Sequence, residues 1–306
     1  MVGSGGEASG HAGDDVALAV TFFGVRGSTP CCSANVSRYG GNTSSVVIEA
    51  AGCDPLLLDL GTGVRVYGES LPKGEAYRGA ALVSHLHWDH VQGLPFFAPA
   101  LCAGSRLDIY APAPGCGMTL DQAVDACIRP PFFPVTRREM AGQVNLQEVT
   151  TDRPFSLGAV TVTAKVVPHV GLTVGYRLDC HGVSIAYVPD HQQPQGFRPA
   201  CGGGGGVDAA VLELARGVDL LIHDAQYTDE EFAEKATWGH STVNYAIEVA
   251  REAGAATLAL FHHDPLHDDA MIDGFVSLAR QAASGHGLEV LAAREGLRLT
   301  WPGPLR

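Results

Sequence analysis

The chain contains, at residues 84–90, the stretch Ser84-His85-Leu86-His87-Trp88-Asp89-His90, directly after the apolar run 80–83. Imidazole nitrogens and carboxylate oxygens at this density suit borderline divalent ions such as Zn²⁺, and the stretch has no cysteine that would favour a closed structural zinc site. The apolar run predicts a short buried strand, and open sheets carry their sites at the C-terminal edge of such strands. The sequence therefore predicts a metal site open to water. The alternative, a polar loop whose histidines only form hydrogen bonds, is disfavoured by the H-x-H-x-D-H spacing.

Four further motifs lie elsewhere in the chain, one before this stretch and three after it. They are Asp59-Leu60-Gly61-Thr62-Gly63, Val167-Pro168-His169, Tyr187-Val188-Pro189-Asp190, and the apolar run 257–261 that ends at His262. Together with H-x-H-x-D-H they resemble the metallo-β-lactamase superfamily over nearly the whole chain. The resemblance implies an α/β fold, a four-layer αββα sandwich, and metal-dependent hydrolysis. His263 is the weaker candidate for the last ligand, because it would point to the opposite face if the strand continued.

The resemblance also implies a set of metal ligands. His85, His87 and His169 would bind a first ion, Asp89, His90 and His262 a second, and Asp190 both. Two divalent ions, with Zn²⁺ favoured and Mn²⁺ as the alternative, would hold a bridging hydroxide near neutral pH. Asp59 is expected to accept a hydrogen bond from a ligand imidazole. Flavin-coupled di-iron relatives typically carry Glu where His87 stands, so this histidine indicates hydrolysis.

A second group of motifs concerns the reaction type. The segments 223–227 (His-Asp-Ala-Gln-Tyr) and 238–242 (Trp-Gly-His-Ser-Thr) resemble the H-E-A-T and H-S-T motifs of tRNase Z and related phosphodiesterases. The resemblance implies that Asp224 orients His240, which assists the phosphate and its leaving oxygen. Asp224 replaces the usual Glu and is one methylene shorter. We therefore name His240, Asp224 and the ligand Asp89 as candidate catalytic residues. A histidine that merely packs at a helix start is the alternative for His240, and a residue in the shell around the metal is the alternative for Asp224.

Three other segments resemble the cyclic-nucleotide phosphodiesterase-like members of the superfamily. They are Gly-Val-Arg-Gly-Ser at 24–28, Tyr-Gly-Gly-Asn-Thr-Ser at 39–44 and Pro-Pro-Phe-Phe-Pro-Val at 130–135. Taken alone, the glycines predict only turns. The proline-rich segment is interpreted either as a loop that caps the core or as part of the pocket wall.

The net charge of the chain favours a small substrate. The chain has 306 residues, 20 Lys and Arg against 33 Asp and Glu, and a formal charge of −13. Affinity for a long polyanion depends on neutralising many phosphates, so this balance disfavours a large nucleic acid. A small anion stays compatible, because two metal ions would supply local positive charge.

Composition and pattern also predict the organisation of the chain. We expect a disordered tail at 1–15, a single hydrolase domain at 16–306, and a flexible loop at the glycines 202–206. The eight cysteines show no C-x-x-C pair, which favours free thiols in a reducing compartment. No segment has the roughly 20 apolar residues of a membrane span, so a cytoplasmic protein is expected, and the resemblance implies a homodimer.

Hydrophobic periodicity and turn residues predict individual elements. Strands are expected at 16–23, 44–50, 55–60, 80–83, 106–110, 160–167, 171–178 and 183–188. Helices are expected at 120–127, 208–216, 229–235 and 243–253, with a short helix or turn from 91 to 97.

The leading functional prediction is a dinuclear phosphodiesterase that hydrolyses a small phosphodiester, with a cyclic nucleotide favoured. A tRNA 3′-processing endonuclease shares every metal motif and is the first alternative. Against it stand the acidic charge and the short segment 170–189 between the third and fourth motifs, which leaves no evident room for a basic arm that grips tRNA. A nucleotide-binding sensor with little turnover is the second alternative.

Overall fold

A computed structural model describes residues 16–115, 117–197 and 206–302. The predicted tail at 1–15 and the glycines 202–205 of the predicted loop lie outside these residues. The chain forms two seven-stranded sheets that pack face to face, with helices on both outer surfaces. This arrangement confirms the predicted four-layer αββα sandwich.

Each sheet is built mostly from one half of the chain. The first has the order β14-β1-β2-β3-β4-β5-β6 and the second β13-β12-β11-β10-β9-β8-β7. The strands of the first are β1 (Val16–Gly24), β2 (Ser45–Ala50), β3 (Leu56–Leu58), β4 (Arg78–Leu82), β5 (Arg106–Ala111), β6 (Gln143–Glu148) and β14 (Arg298–Pro302). Those of the second are β7 (Phe155–Leu157), β8 (Val160–Val167), β9 (Thr173–Cys180), β10 (Val183–Val188), β11 (Leu220–Asp224), β12 (Thr257–Phe261) and β13 (Glu289–Ala292).

The helices are α1 (Gly63–Ser70), α2 (Trp88–Val91), α3 (Leu120–Cys127), α4 (Ala209–Ala215), α5 (Asp229–Lys235), α6 (Val243–Ala253) and α7 (Asp269–Ala283). Short 3₁₀ turns lie at Ala34–Val36, Leu94–Phe96, Ala98–Leu101 and Arg137–Glu139. Helix α6 illustrates the sequence logic: the Thr242 side chain accepts a hydrogen bond from the Tyr245 N–H, and Gly254 ends the helix at a φ of 66°. Among the described residues, no helix combines the length and apolarity that a membrane crossing requires.

Three layers of apolar side chains hold the four structural layers together. The central one lies between the sheets and contains Phe22 and Ile48 from the first sheet and Tyr176 and Phe261 from the second, all fully or almost fully buried. A second cluster joins the second sheet to α4, α6 and α7, and a third joins the first sheet to α1 and α3. Because alternate residues of a strand point to opposite faces, each sheet contributes to two of these layers.

Strand direction places the ends of several strands at one edge. Strands β3 to β6 are parallel to one another, as are β10 to β13. Parallel strands present their C-terminal ends together, so the loops that follow them meet at the same edge of the sheet. This edge carries the candidate site.

Some predicted boundaries were wrong. The predicted strand at 55–60 is only Leu56–Leu58, because Asp59 has a left-handed φ of 58° that leaves the extended conformation. Helix α2 begins at Trp88, inside the metal motif and before the predicted start at 91. The predicted strand at 171–178 begins at Thr173 and continues to Cys180. Helices α1 and α7 were missed. The six described cysteines, at 31, 32, 53, 102, 127 and 180, are free thiols, as predicted.

Candidate metal centre

The candidate site lies where both sheets end. Its side chains come from the loops and turns after four strands: residues 85–90 follow β4 of the first sheet, while His169, Asp190 and His262 follow β8, β10 and β12 of the second. Asp89 and His90 lie on α2, and His87 immediately precedes it. The structure thus brings together all seven predicted ligand residues, which are up to 177 positions apart.

Four of these residues form a first group. The ligand atoms of His85, His87, His169 and Asp190 lie within 4.8 Å of one another. Asp190 Oδ2 is 3.7 Å from His85 Nε2 and 3.5 Å from His169 Nε2. His87 is exposed, whereas His85 and Asp190 are buried. One face of this group is therefore open to solvent.

Asp89, His90 and His262 form a second group, which is buried. Asp89 Oδ2 lies 3.1 Å from both His90 Nε2 and His262 Nε2. The other carboxylate oxygen of Asp190, Oδ1, lies 3.0 Å from His90 Nε2 and 3.2 Å from His262 Nε2. Asp190 therefore directs one oxygen to each group, which is the geometry of a bridging carboxylate.

The chemistry of the two groups fits divalent cations. His85 Nε2 is buried without a hydrogen-bond partner, and such an atom is costly unless something coordinates it. Burial and the neighbouring imidazoles lower the pKa of His85 well below its ordinary value, so its nitrogen lone pair is available. Burial acts in the opposite direction on Asp190, but His262, His90 and His85 hold its pKa well below the usual range. A neutral imidazole at His85 and an ionised carboxylate at Asp190 are donors that suit a divalent metal ion.

Asp59 contacts the second group through the imidazole of His90. Its Oδ2 lies 2.7 Å from His90 Nδ1 and accepts a hydrogen bond from the Tyr187 hydroxyl at 2.7 Å, while its Oδ1 accepts one from the Ser84 N–H at 2.7 Å. The contact to a ligand imidazole is the one predicted for Asp59. It orients the ring so that Nε2 faces the cluster. Tyr187 and Ser84 were missed, because the sequence does not show which hydroxyls meet Asp59.

Two further ligand candidates are oriented in the same way. His262 Nδ1 donates to Gln226 Oε1 at 2.7 Å, and His169 Nδ1 donates to the Gly239 carbonyl at 2.6 Å. The glycine motifs serve this packing, since a Cβ on Gly27 would lie 2.4 Å from His262 Nδ1, and one on Gly239 would lie 2.5 Å from His169 Nδ1. Gln226 was missed, although it stands two residues after Asp224 in a quoted motif.

His240 and Asp224 form a buried pair beside the first group. His240 Nδ1 lies 2.9 Å from Asp224 Oδ2 and 3.8 Å from Asp190 Oδ2. The backbone N–H groups of His191 and Gln226 donate to Asp224, each at 3.0 Å, so the shorter carboxylate still reaches the histidine in a fixed position. Burial lowers the pKa of His240, but Asp224, Asp190 and Asp89 outweigh it and raise the pKa above its ordinary value. The pair favours a protonated imidazole.

His263 is directed elsewhere. Its Nε2 lies 2.9 Å from the carbonyl oxygen of Ala293, and burial lowers the pKa of its imidazole to about 3. Among the described residues, none of the groups with metal-site geometry includes His263. The adjacent His262 has a left-handed φ of 59°, which turns the two side chains apart at the end of β12.

Comparisons with known proteins agree with this architecture. A model of the beta-lactamase superfamily domain matches residues 57–263. The chain is 30% identical to a ribonuclease Z of Haloarcula marismortui, and the match covers 92% of this chain and 96% of that protein. The metallo-beta-lactamase fold protein YhfI of Bacillus subtilis superposes with a TM-score of 0.68 at 20% identity, over 93% of this chain and 99% of the other. The short form of human tRNase Z gives 0.62 at 22% identity, over 92% and 98%. At these identities the two structures show the fold alone.

Proposed function

Because this chain belongs to the metallo-β-lactamase superfamily of metal-dependent hydrolases, we propose that it is a dinuclear phosphodiesterase that cleaves a small phosphodiester, with a cyclic nucleotide as the leading candidate. The observation that carries the proposal is the position of Asp190, whose two oxygens serve two separate ligand groups. His85, His87 and His169 would hold one ion, and Asp89, His90 and His262 the other. Two bound divalent ions would supply a hydroxide nucleophile near neutral pH and offset the phosphate charge.

The residues of this chain supply the remaining steps. Asp59, Gln226 and the Gly239 carbonyl orient three of the imidazoles, so that the ligand nitrogens are in place before substrate binds. His240, held by Asp224, would donate a proton to the departing oxygen of the phosphodiester. Asp224 acts through His240 and keeps it protonated.

The proposed substrate is small because the protein is acidic and because the described residues 170–189 form no arm beside the site. The net charge is −13. Within residues 170–189 the chain forms β9 and β10, and the two strands are joined by the short turn at His181 and Gly182. This hairpin contributes to the second sheet and not to an extension that would grip a large RNA.

We expect turnover of a cyclic mononucleotide to exceed cleavage of precursor tRNA by orders of magnitude at physiological salt. Repulsion between an acidic protein and a long polyanion persists over roughly 8 Å at that ionic strength. The measurement compares initial rates on cyclic mononucleotides, cyclic dinucleotides, a bis-aryl phosphodiester and precursor tRNA with zinc-loaded or manganese-loaded protein.

A tRNA 3′-processing endonuclease is the second candidate, and one observation favours it. The Haloarcula marismortui relative, which is 30% identical over nearly the whole of both chains, is a ribonuclease Z. Precursor tRNA cut after its discriminator base, with no turnover of cyclic nucleotides, would establish this candidate in place of the first.

We expect close to two divalent ions per chain, because the two groups provide enough donors for two sites that share Asp190. Elemental analysis of gently purified protein, repeated after reconstitution with zinc or manganese, measures the ratio and identifies the preferred ion. A ratio that never exceeds one would contradict the dinuclear proposal.

The homodimer and the cytoplasmic location stay predictions. Sedimentation of the purified chain tests whether it is a dimer.

A further inference from the structure

A large apolar pocket opens directly beside the candidate metal centre. Its volume is about 640 Å³, and its walls include His85 and His87. This volume lies within the range of roughly 300–1,000 Å³ that is typical of small-molecule sites. An occupant of the pocket would therefore contact the same imidazoles that the proposed function assigns to the first ion.

The pocket wall is assembled from segments that are far apart in the sequence. It lies between α2, the 3₁₀ turn Leu94–Phe96, helix α3, the proline-rich segment at 130–135 and the loop before β9. Phe132 and Phe133 of the proline-rich segment line it. The segment therefore forms part of the pocket wall, and Phe133 also packs against the apolar cluster of the first sheet, so the structure supports both interpretations given for it.

The chemistry of the wall is unusual for a nucleotide site. Among the described residues, no Lys, Arg, Asp, Glu, Ser or Thr lines the pocket, and Gln92 is the one amide. A nucleobase carries several ring nitrogens and exocyclic groups that lose hydrogen bonds to water when they are buried. Beyond Gln92, the Trp88 indole and the imidazoles of His85 and His87, the aliphatic and phenyl side chains of the wall offer these groups no hydrogen-bond partner, which is costly. Alkyl and plain aromatic groups meet no such penalty.

The rim of the pocket is apolar as well. Of the 14 large hydrophobic side chains that the structure describes as exposed, six line this pocket: Trp88, Phe96, Met118, Phe132, Val170 and Leu172. Phe132 is 79% exposed and Trp88 72% exposed. An exposed apolar cluster around a concavity marks a binding site more often than it marks an ordinary surface.

We propose that this pocket binds an extended apolar substituent of the substrate, so that the preferred phosphodiesters carry an alkyl, acyl or aryl group larger than a nucleobase. The inference rests on the phosphodiesterase activity proposed above, and it replaces the cyclic nucleotide with an apolar phosphodiester as the preferred substrate. The substituent would enter between α2 and α3 and place the phosphate at His87. A second copy of the chain is a less suitable occupant, because a subunit seated in the pocket would block the exposed His87 and with it the open side of the first group.

The test uses the zinc-loaded full chain and a series of alkyl 4-nitrophenyl phosphates with methyl, butyl, hexyl and octyl groups, below their critical micelle concentrations. Each buried methylene favours the bound state by about fourfold. We therefore expect kcat/KM to rise by at least about 10²-fold from methyl to octyl, mainly through KM. Calorimetry with octylphosphonate and methylphosphonate gives a readout without turnover, in which the octyl compound binds more tightly and with a negative heat-capacity change.

Variants of pocket residues test whether the dependence on alkyl length arises in this pocket. Ala123→Trp fills the pocket from α3, and Met118→Asp places a charge at the exposed rim without disturbing the core; both should remove most of the octyl-to-methyl ratio. Ala282→Trp, the matched change at an exposed position of α7, should leave the ratio unchanged. Failure of the proposed function can be distinguished from failure of the pocket inference. If no ester is hydrolysed, the proposed function fails, and calorimetry still decides the pocket.

Equal kcat/KM across the series, or equal binding of the two phosphonates, would overturn the inference. The same holds if Met118→Asp converts a dimer into a monomer in sedimentation while the series stays flat, since the face would then be a subunit interface.

Discussion

His87→Ala is expected to lower the turnover of every phosphodiester by more than about 10³-fold and to reduce the metal content of the first site. His87 is the exposed member of the first group, and its Nδ1 lies 3.3 Å from His169 Nε2. The first ion would lose one of its imidazole ligands. Because an exposed side chain contributes little to the core, the fold should be retained.

Three measurements on one preparation check this expectation: elemental analysis, initial rates and circular dichroism. His286→Ala removes an imidazole from an exposed position and is the matched control, expected to keep metal content and rate. Full metal content together with unchanged rates in His87→Ala would exclude His87 as a ligand and would remove the first site from the proposal.

His240→Ala is expected to keep both ions and to reduce turnover by roughly 10² to 10⁴-fold, the usual contribution of one positioned acid or base. The loss should depend on the leaving group. A cyclic nucleotide expels a ribose alkoxide that needs a proton, whereas an aryl phosphodiester expels a stabilised phenolate that does not. The variant should therefore be impaired far more on the cyclic nucleotide.

Asp224→Asn should produce the same pattern more weakly, because the two residues act as a unit, and the double variant should be little worse than His240→Ala. The carboxylate of Asp224 raises the pKa of His240, so its removal lowers that pKa. The rate limb that falls as pH rises should then move to lower pH in Asp224→Asn. Equal losses on both substrates, or loss of an ion in His240→Ala, would identify His240 as a ligand or a phosphate clamp.

The H-x-H-x-D-H spacing and the resemblance to the superfamily together predicted the seven candidate ligands. Four of them lie within six residues after one strand, and His169, Asp190 and His262 each follow an apolar run that forms a strand. Parallel strands share an edge, so residues that directly follow them converge whatever their separation in the chain. The His240 and Asp224 pair was likewise predicted from a resemblance, since its motifs resemble those of related phosphodiesterases.

The contacts that orient the ligands were not predictable in this way. Gln226 reaches His262 across two neighbouring strands, and Tyr187 reaches Asp59 across the gap between the sheets. Such pairings depend on the register of the strands and on how the sheets dock, neither of which a single sequence specifies. Helix α1 was missed because Gly63 and Gly68 weaken its helical pattern, although both glycines are buried against neighbouring elements.

The division of the ligands between the two sheets has a consequence for the timing of activity during synthesis. A ribosome releases the chain from its N-terminal end, and the first sheet emerges largely before the second. At that stage residues 85–90 are present but Asp190 and His262 are not. The incomplete chain therefore lacks the carboxylate that the two candidate ligand groups share. Under the proposed function, hydrolysis would begin only when β12 has paired with β11 and has brought His262 to the other candidate ligands. An incomplete chain would therefore be inactive until both sheets have packed together.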